Sequence, residues 1–174
     1  MRQKIHNAFA NCLAHSCLQN TNESIFYIQD HPTHGRSFIT IPINLNDYPY
    51  FTVNNPDQKD INFLSIDQCI YLTPQDGPRC DCALFDNTVF HFIEIKRGGP
   101  PKTSDRRRDA IDQLKVTIMN FIGQIDFSTH KIYAHICVGH FSQIPSIKTS
   151  DLVNSIFFWD NFKAELLDGN TITF

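Results

Sequence analysis

Three charged residues lie among apolar and aromatic neighbours in two segments near the middle of this 174-residue chain. Asp81 belongs to the segment 80–85, and Glu94 and Lys96 belong to the segment 88–96. A charge on a strand that is otherwise suited to burial is costly unless it is paired or bound to a metal ion. Two carboxylates with an ammonium group beside them therefore predict a divalent-cation site, and this combination suits the cleavage of phosphodiesters.

A predicted β-hairpin would bring these groups together. Residues 86–87 tolerate the backbone conformations of a tight two-residue turn. In that register Asp81 faces Phe92 and lies diagonal to Glu94. Side chains alternate along a strand, so Lys96 is expected on the same face as Glu94. A slip of one residue would move Asp81 to the opposite face of the sheet.

The spacing of Asp81, Glu94 and Lys96 resembles the D…(D/E)-x-K signature of the PD-(D/E)XK nuclease superfamily, which includes restriction endonucleases, RecB-type exonuclease domains and Holliday-junction resolvases. The resemblance covers about residues 67–139. It implies an α/β (α+β) fold with a restriction-endonuclease-like αβββαβ core, in which helices flank a mixed central sheet. It also implies that Asp81, Glu94 and the Ile95 carbonyl bind Mg²⁺, with Mn²⁺ as a substitute. Lys96 would then position or activate the attacking water.

The same resemblance suggests two further site residues. Many members take an acidic residue from the first helix, but residues 1–20 contain no Asp or Glu, which leaves Glu23 as the nearby candidate. In RecB-like and resolvase-like members a Gln on the later helix approaches the metal, and Gln113 would take this place. The alternative for Gln113 is a polar residue that hydrogen-bonds to a neighbouring loop. No Pro precedes Asp81, at a position that varies within the superfamily.

A basic segment follows the motif, although the net charge of the chain is −3. Seven of the fifteen Lys and Arg residues lie between positions 96 and 115. A basic cluster beside a metal site predicts contact with a nucleic-acid backbone. The candidate residues are Arg97, Lys102, Arg106, Arg107 and Arg108. The alternative for the Arg run is a solvated helix start that is balanced by Asp105, Asp109 and Asp112.

Composition and periodicity predict one globular domain over residues 1–174. Charged residues make up 19% and aromatic residues 12%, which favours a packed core over a disordered chain. A strand–helix–strand order in the second half predicts a parallel crossover. Helices are predicted at about 3–19, 104–122 and 150–163. Extended segments are predicted at 26–28, 37–43, 69–72, 80–85, 88–96 and 131–139, with a closing hairpin around 168–169.

The sequence contains no apolar run of ~18 residues and no signal-peptide pattern, which predicts a cytoplasmic protein without a membrane partner. Most of the six Cys residues are expected to be buried thiols. A weaker alternative is a zinc-stabilised domain built on Cys12, His15 and Cys17, whose spacings match no standard zinc pattern.

The leading interpretation is a metal-dependent nuclease that hydrolyses phosphodiester bonds, with DNA as the expected substrate. Specificity could come from a homodimer or a protein partner, because a chain of this length leaves little room for a separate recognition domain. The alternative is a catalytically inactive PD-(D/E)XK-fold binding or regulatory module, which the acidic net charge and the missing helix carboxylate favour. A purely structural account would pair Lys96 with Glu94 and let Asp81 cap a turn.

Overall fold

The computed structural model describes residues 1–30, 35–41, 50–96, 103–139 and 149–174. Within these ranges the α-helices are α1 (Arg2–Ala8), α2 (Ala10–Ala14), α3 (Thr103–Ile122) and α4 (Thr149–Phe162). The strands are β1 (Leu18–Thr21), β2 (Ile25–Asp30), β3 (Ser37–Thr40), β4 (Tyr50–Asn54), β5 (Ile61–Ser65), β6 (Cys82–Phe85), β7 (Val89–Lys96), β8 (Lys131–Val138), β9 (Ala164–Asp168) and β10 (Thr171–Thr173). None of the helices in the described part of the chain has the length and apolar character needed to cross a bilayer.

The strands form two mixed sheets, which confirms the expected mixture of α and β structure. The larger sheet has the order β1-β5-β6-β7-β8-β9. Its strands are antiparallel from β1 to β7, whereas β7, β8 and β9 are parallel. The smaller sheet has the order β10-β4-β2-β3, and only β10 and β4 are parallel in it. The helix α3 forms the predicted crossover between β7 and β8.

The larger sheet is the middle of three layers, because its central strands carry apolar residues on both faces. One face presents Phe90 and Phe92 to the helices, where Leu114 and Phe121 of α3 are buried. The other face packs on the smaller sheet through a second cluster: Phe26, Ile28, Phe51, Val53, Phe63, Leu84, Ile93 and Ile95. The expected sheet flanked by helices is therefore correct for one face only. The smaller sheet, with strands β10, β4, β2 and β3, covers the other face.

Three predicted elements differ from the structure. The helix expected at 3–19 is broken at Phe9, whose backbone is extended (φ −125°, ψ 97°), and the chain enters β1 at Leu18. The strand expected at 69–72 does not form: Cys69 and Ile70 lie in a turn, in which the carbonyl of Ile66 accepts a hydrogen bond from the N–H of Ile70 at 3.0 Å, and Tyr71 forms an isolated bridge with Asp67. The first strand of the central meander is therefore β5. No hairpin forms around 168–169, since β9 and β10 pair into different sheets.

Cys17 and Cys69 form a disulfide, with their Cα atoms 5.7 Å apart. The other four cysteines are buried thiols, as expected for most of them: Cys12, Cys80, Cys82 and Cys137. The zinc alternative fails because the sulfur of Cys17 is already bonded to that of Cys69.

Candidate functional site

The register between β6 and β7 differs by two residues from the predicted one. Cys82 lies opposite Ile93 and Phe85 lies opposite Phe90, so residues 86–89 connect the last pair of the two strands. A shift of two residues preserves the face on which each side chain lies. Continued past the end of β6, this register brings Asp81 opposite Glu94 rather than diagonal to it.

The side chain of Asp86 sets the position of this turn. Its Oδ1 accepts hydrogen bonds from the backbone N–H of Thr88 at 2.7 Å and of Val89 at 2.9 Å. An Asp that bonds the backbone N–H two residues later forms an Asx turn. The Asp86 N–H also donates to the Val89 carbonyl at 3.2 Å, so the residues at the tip are 87–88, one position later than predicted. The Asp-Asn-Thr order is a sequence signal that could have predicted this position of the turn.

The backbone and side chains of Asp81 and Glu94 hold the two carboxylates side by side. Glu94 Oε2 accepts a hydrogen bond from the N–H of Asp81 at 3.1 Å, and Asp81 Oδ2 accepts one from the N–H of Ile95 at 2.6 Å. Asp81 comes just before β6, so its carboxylate takes the place of a backbone acceptor at the end of the ladder. Glu94 is fully buried and Asp81 is 6% exposed.

Lys96 joins this pair through Glu94. Its Nζ lies 2.5 Å from Glu94 Oε1, and a quarter of the lysine side chain is exposed. This ion pair joins the partly exposed ammonium group to the fully buried carboxylate. Of the three charged residues, the lysine therefore gives the site its route to solvent.

The two carboxylates bring more negative charge to this site than the one ammonium group offsets. Burial raises the pKa of Glu94 to about 7, although the nearby Lys96 opposes the change. Burial, followed by the charge of Glu94, raises the pKa of Asp81 well above its usual range. Burial lowers the pKa of Lys96, but the carboxylates outweigh it and the net shift is upward. One ammonium group does not neutralise both acids, whereas a divalent cation would.

Asp30, at the end of β2, is a site residue that the sequence reasoning missed. Its negative charge raises the pKa of both Asp81 and Glu94. Asp30 pairs with Ser37 across β2 and β3, and the Ser37 hydroxyl donates a hydrogen bond to the Asp81 carbonyl at 2.9 Å. No local spacing could reveal Asp30, because only the packing of the two sheets brings it near. Within the described residues no group of three or more Asp, Glu, His or Cys side chains is arranged to hold a metal ion.

Glu23 is not brought to this pair. It is exposed in the turn between β1 and β2, and its N–H donates to the hydroxyl of Thr21 at 3.3 Å. β2 begins at Ile25 and ends at Asp30, so Glu23 lies beyond the end of β2 opposite Asp30. At ~3.3 Å per residue the two ends of β2 are about 16 Å apart.

Helix α3 fixes the segment that precedes Asp81. The side-chain amide of Gln113 donates to the Arg79 carbonyl at 2.8 Å. Thr117 Oγ1 accepts a hydrogen bond from the Cys80 N–H at 2.8 Å and donates to the Gln113 carbonyl at 2.9 Å. The contact of Gln113 with a loop carbonyl matches the alternative given for it from the sequence. Gln113 thus positions Asp81 through the backbone.

Arg79 is a buried charged residue that the sequence reasoning missed. Its Nε donates to Asp67 Oδ1 at 2.5 Å, and its terminal nitrogen donates to the Thr73 carbonyl at 2.5 Å. These contacts close the loop between β5 and β6. They hold the chain two residues before Asp81.

The predicted phosphate-binding residues have different surroundings. Arg107 forms ion pairs with Asp151 and Asp168, each at 2.8 Å, and so links α3 to α4 and β9. Arg108 is exposed and lies 3.3 Å from Asp105, and Arg106 is half-buried. Arg97 and Lys102 lie outside the described residues.

Comparison of the chain with protein-family models, curated proteins and solved structures found no match.

Proposed function

We propose that this chain is a metal-dependent nuclease of the PD-(D/E)XK type that hydrolyses phosphodiester bonds, with DNA as its substrate. The observation that carries the proposal is the pair of buried carboxylates, Asp81 and Glu94, with Lys96 in contact with Glu94. The succession β5-β6-β7-α3-β8 supports a restriction-endonuclease-like core, because that core has three strands, a helix and a further strand in the same order.

The donor atoms suit Mg²⁺, with Mn²⁺ as a substitute. Hard divalent cations prefer oxygen ligands. Asp81, Glu94 and the Ile95 carbonyl would supply them, and the two carboxylates are buried side by side. A bound ion would polarise the scissile phosphate and lower the pKa of a coordinated water.

Lys96 has the position and the charge to act on the phosphate. Glu94 anchors its ammonium group, and part of the side chain reaches solvent. Its raised pKa keeps it protonated at neutral pH. Lys96 therefore donates hydrogen bonds to the attacking water or to a phosphate oxygen. It offsets charge on the pentacovalent state instead of removing a proton.

Some residues of the basic segment support a nucleic-acid partner, and Arg107 does not. Arg108 presents an exposed guanidinium group, and Arg106 lies two residues before it on α3. We assign backbone phosphate contacts to these two residues and to Arg97 and Lys102. Arg107 has a structural role, because two carboxylates already surround it.

The alternative is a binding or regulatory module that has lost catalysis. It is favoured by the lack of Asp or Glu in α1 and α2 and by the absence of a three-ligand group from the described residues. Magnesium binding distinguishes the two functions, because an inactive module has no need for the pair of acids.

The test compares wild type with Lys96→Gln and Glu94→Gln in plasmid cleavage and in calorimetric titration with Mg²⁺ and Mn²⁺. Wild type should cleave with either ion and stop when EDTA is added. Lys96→Gln should lower the rate by about 10²–10³-fold but still bind the ion, because it leaves both acids in place. Glu94→Gln should lose both properties. Lys59→Gln is the matched control, since Lys59 is an exposed lysine outside the site.

Circular dichroism is used to check that each variant is folded before it is assayed. Equal cleavage by wild type and Lys96→Gln would contradict the catalytic assignment. If neither ion binds in a manner that depends on Asp81 and Glu94, the inactive module is the correct function.

A further inference from the structure

The outward side of helix α4 is apolar although it faces solvent. Five large side chains on this side are between 39% and 63% exposed: Leu152, Val153, Ile156, Phe157 and Trp159. The inward side is apolar too, since Phe158 is fully buried and Phe162 packs against the main core. A helix that is hydrophobic all round is typical of one covered on both sides. Within the described residues of one chain, α4 is covered on its inward side only.

This apolar surface extends toward α3. Lys115 lies over the Phe157 ring, with Nζ 4.7 Å from the ring centroid, and contacts Asn154 Oδ1 at 3.4 Å. Met119, one turn further along α3, is 58% exposed. We call the six apolar residues the α4 patch: Met119, Leu152, Val153, Ile156, Phe157 and Trp159.

We propose that the α4 patch is the interface of a symmetric homodimer, and that a second copy of this chain covers it. Each of the six side chains exposes roughly 100 Å², so the patch offers about 600 Å², and a polar rim would bring it to the ~800 Å² per partner of a standard interface. A patch of this size is at the upper end of what a monomer exposes. A two-fold axis places the same patch of both copies face to face, so one patch per chain is enough to form a closed dimer.

The charges around the patch are of both signs, which suits the pairing of the patch with a second copy of itself. Asp160 lies on the outward side of α4, and Lys163 lies over the Trp159 ring, with Nζ 5.7 Å from the ring centroid. The net charge of −3 for the chain opposes docking on a nucleic acid or an anionic lipid surface. In an antiparallel pair of α4 helices, Asp160 of one copy lies toward the N-terminal half of the other helix. Negative charge is favoured there by the helix dipole.

The first experiment measures the mass of the full chain in solution by light scattering and sedimentation from about 1 µM to about 200 µM, a range set by ordinary dimer affinities. Wild type should have twice the mass of the chain at the upper end. Ile156→Glu puts a charge at the centre of the patch and should raise the dissociation constant by about thirtyfold or more. Leu13→Glu is the matched control, because Leu13 is 69% exposed on α2, outside the patch, and this variant should still dimerise.

Trp159 gives a second measurement that needs no variant, because it is the one Trp in the chain and lies in the patch. Its emission should shift to longer wavelength as wild type is diluted and the dimer dissociates. Ile156→Glu should show the long-wavelength emission at every concentration. If circular dichroism shows that this variant is unfolded, Val153→Lys replaces it.

The proposal is independent of nuclease activity, and its failure leaves magnesium binding untouched. Monomeric mass and constant Trp159 emission over the whole range would overturn it. So would a dimer that Ile156→Glu leaves unchanged. A short-wavelength shift of the monomer on addition of neutral phosphatidylcholine vesicles would identify a lipid surface as the occupant and would also overturn it.

Discussion

Two groups of buried polar side chains lie on opposite faces of the larger sheet, and each group includes residues of β7. On the side of the smaller sheet, His91 Nδ1 lies 2.8 Å from His135 Nε2. On the helix side, Glu94 lies beside Asp81 and Lys96. The first group is the histidine pair and the second is the acidic pair with its lysine.

The histidine pair satisfies itself. Burial lowers the pKa of His91 to about 4 and that of His135 well below its usual range, so both rings are neutral at physiological pH. One neutral ring donates a hydrogen bond and the other accepts it. No charge is left over, and a structural role accounts for the pair fully.

The acidic pair does not satisfy itself, because two negative groups share one ammonium group. Burial by itself is therefore not a sign of function in this molecule. The informative property is charge that remains uncompensated after burial, as at Glu94 and Asp81. This difference motivates the proposal of a cation at one group and not at the other.

The largest expected effect is the difference in the free energy of unfolding between His135→Ala and Glu94→Gln. His135→Ala removes a buried ring and its hydrogen bond, so the free energy of unfolding should fall by about 2–4 kcal/mol. Glu94→Gln keeps an acceptor for the Asp81 N–H and removes a buried charge. Denaturant unfolding at pH 8 without divalent ions measures both.

The raised pKa of Glu94 determines whether Glu94→Gln stabilises or destabilises the protein at a given pH. The folded state holds a proton on Glu94 up to about pH 7, whereas the usual value is 4.5. The bound proton therefore contributes to the free energy of unfolding. The contribution is fully present below pH 4.5 and is lost as the pH rises through about 7. At pH 8 Glu94→Gln should therefore unfold at the same or a higher denaturant concentration than wild type. A loss equal to that of His135→Ala would remove the contrast between the two groups.

A smaller effect is expected from pH on magnesium affinity. An ion that binds Glu94 must displace the proton held there, and the pKa is about 7. The affinity should therefore fall about tenfold from pH 7.5 to pH 6, or about 1.4 kcal/mol. Calorimetry in two buffers of different ionisation enthalpy would also detect the released proton. An affinity that is constant over this range would show that the ion does not bind at Glu94.

The smallest effect is expected from Gln113→Ala, which removes a hydrogen bond to the Arg79 carbonyl without touching the acids. Stability should fall by about 1 kcal/mol, and cleavage should slow several-fold as Asp81 becomes less well positioned. Gln124→Ala is the control, because Gln124 is an exposed Gln that bonds a carbonyl at the end of the same helix. A loss of magnesium binding as complete as that of Glu94→Gln would instead make Gln113 part of the ion site.

The elements around the acidic pair could be predicted because their patterns are local. The stripe containing Ile111, Leu114 and Ile118 indicated α3, and those residues are buried. Alternation of Ile132, Ala134 and Ile136 indicated β8 in the same way. The residue types of Asp81, Glu94 and Lys96 were enough to group them, even though the register was wrong by two residues.

The remaining features depend on contacts between distant segments. Asp30 reaches the site only because the smaller sheet packs on the larger one. β5 was missed since the segment 61–65 is short and contains a polar Asn62. The break at Phe9 comes from packing, as its ring lies 4.6 Å from that of Phe121. Local periodicity contains none of this information.

The bond between Cys17 and Cys69 closes a covalent ring with a sequence separation of 52, which contains β1 to β5. Asp30 and Ser37 are inside this ring, whereas Asp81, Glu94 and Lys96 are outside it. Opening a ring of this size removes about 4 kcal/mol of constraint on the unfolded chain. A reducing agent in the buffer would thus loosen the segment that carries Asp30 and leave the β6–β7 ribbon covalently unchanged. Preparations with and without thiols would therefore differ in how firmly Asp30 is held beside Asp81 and Glu94.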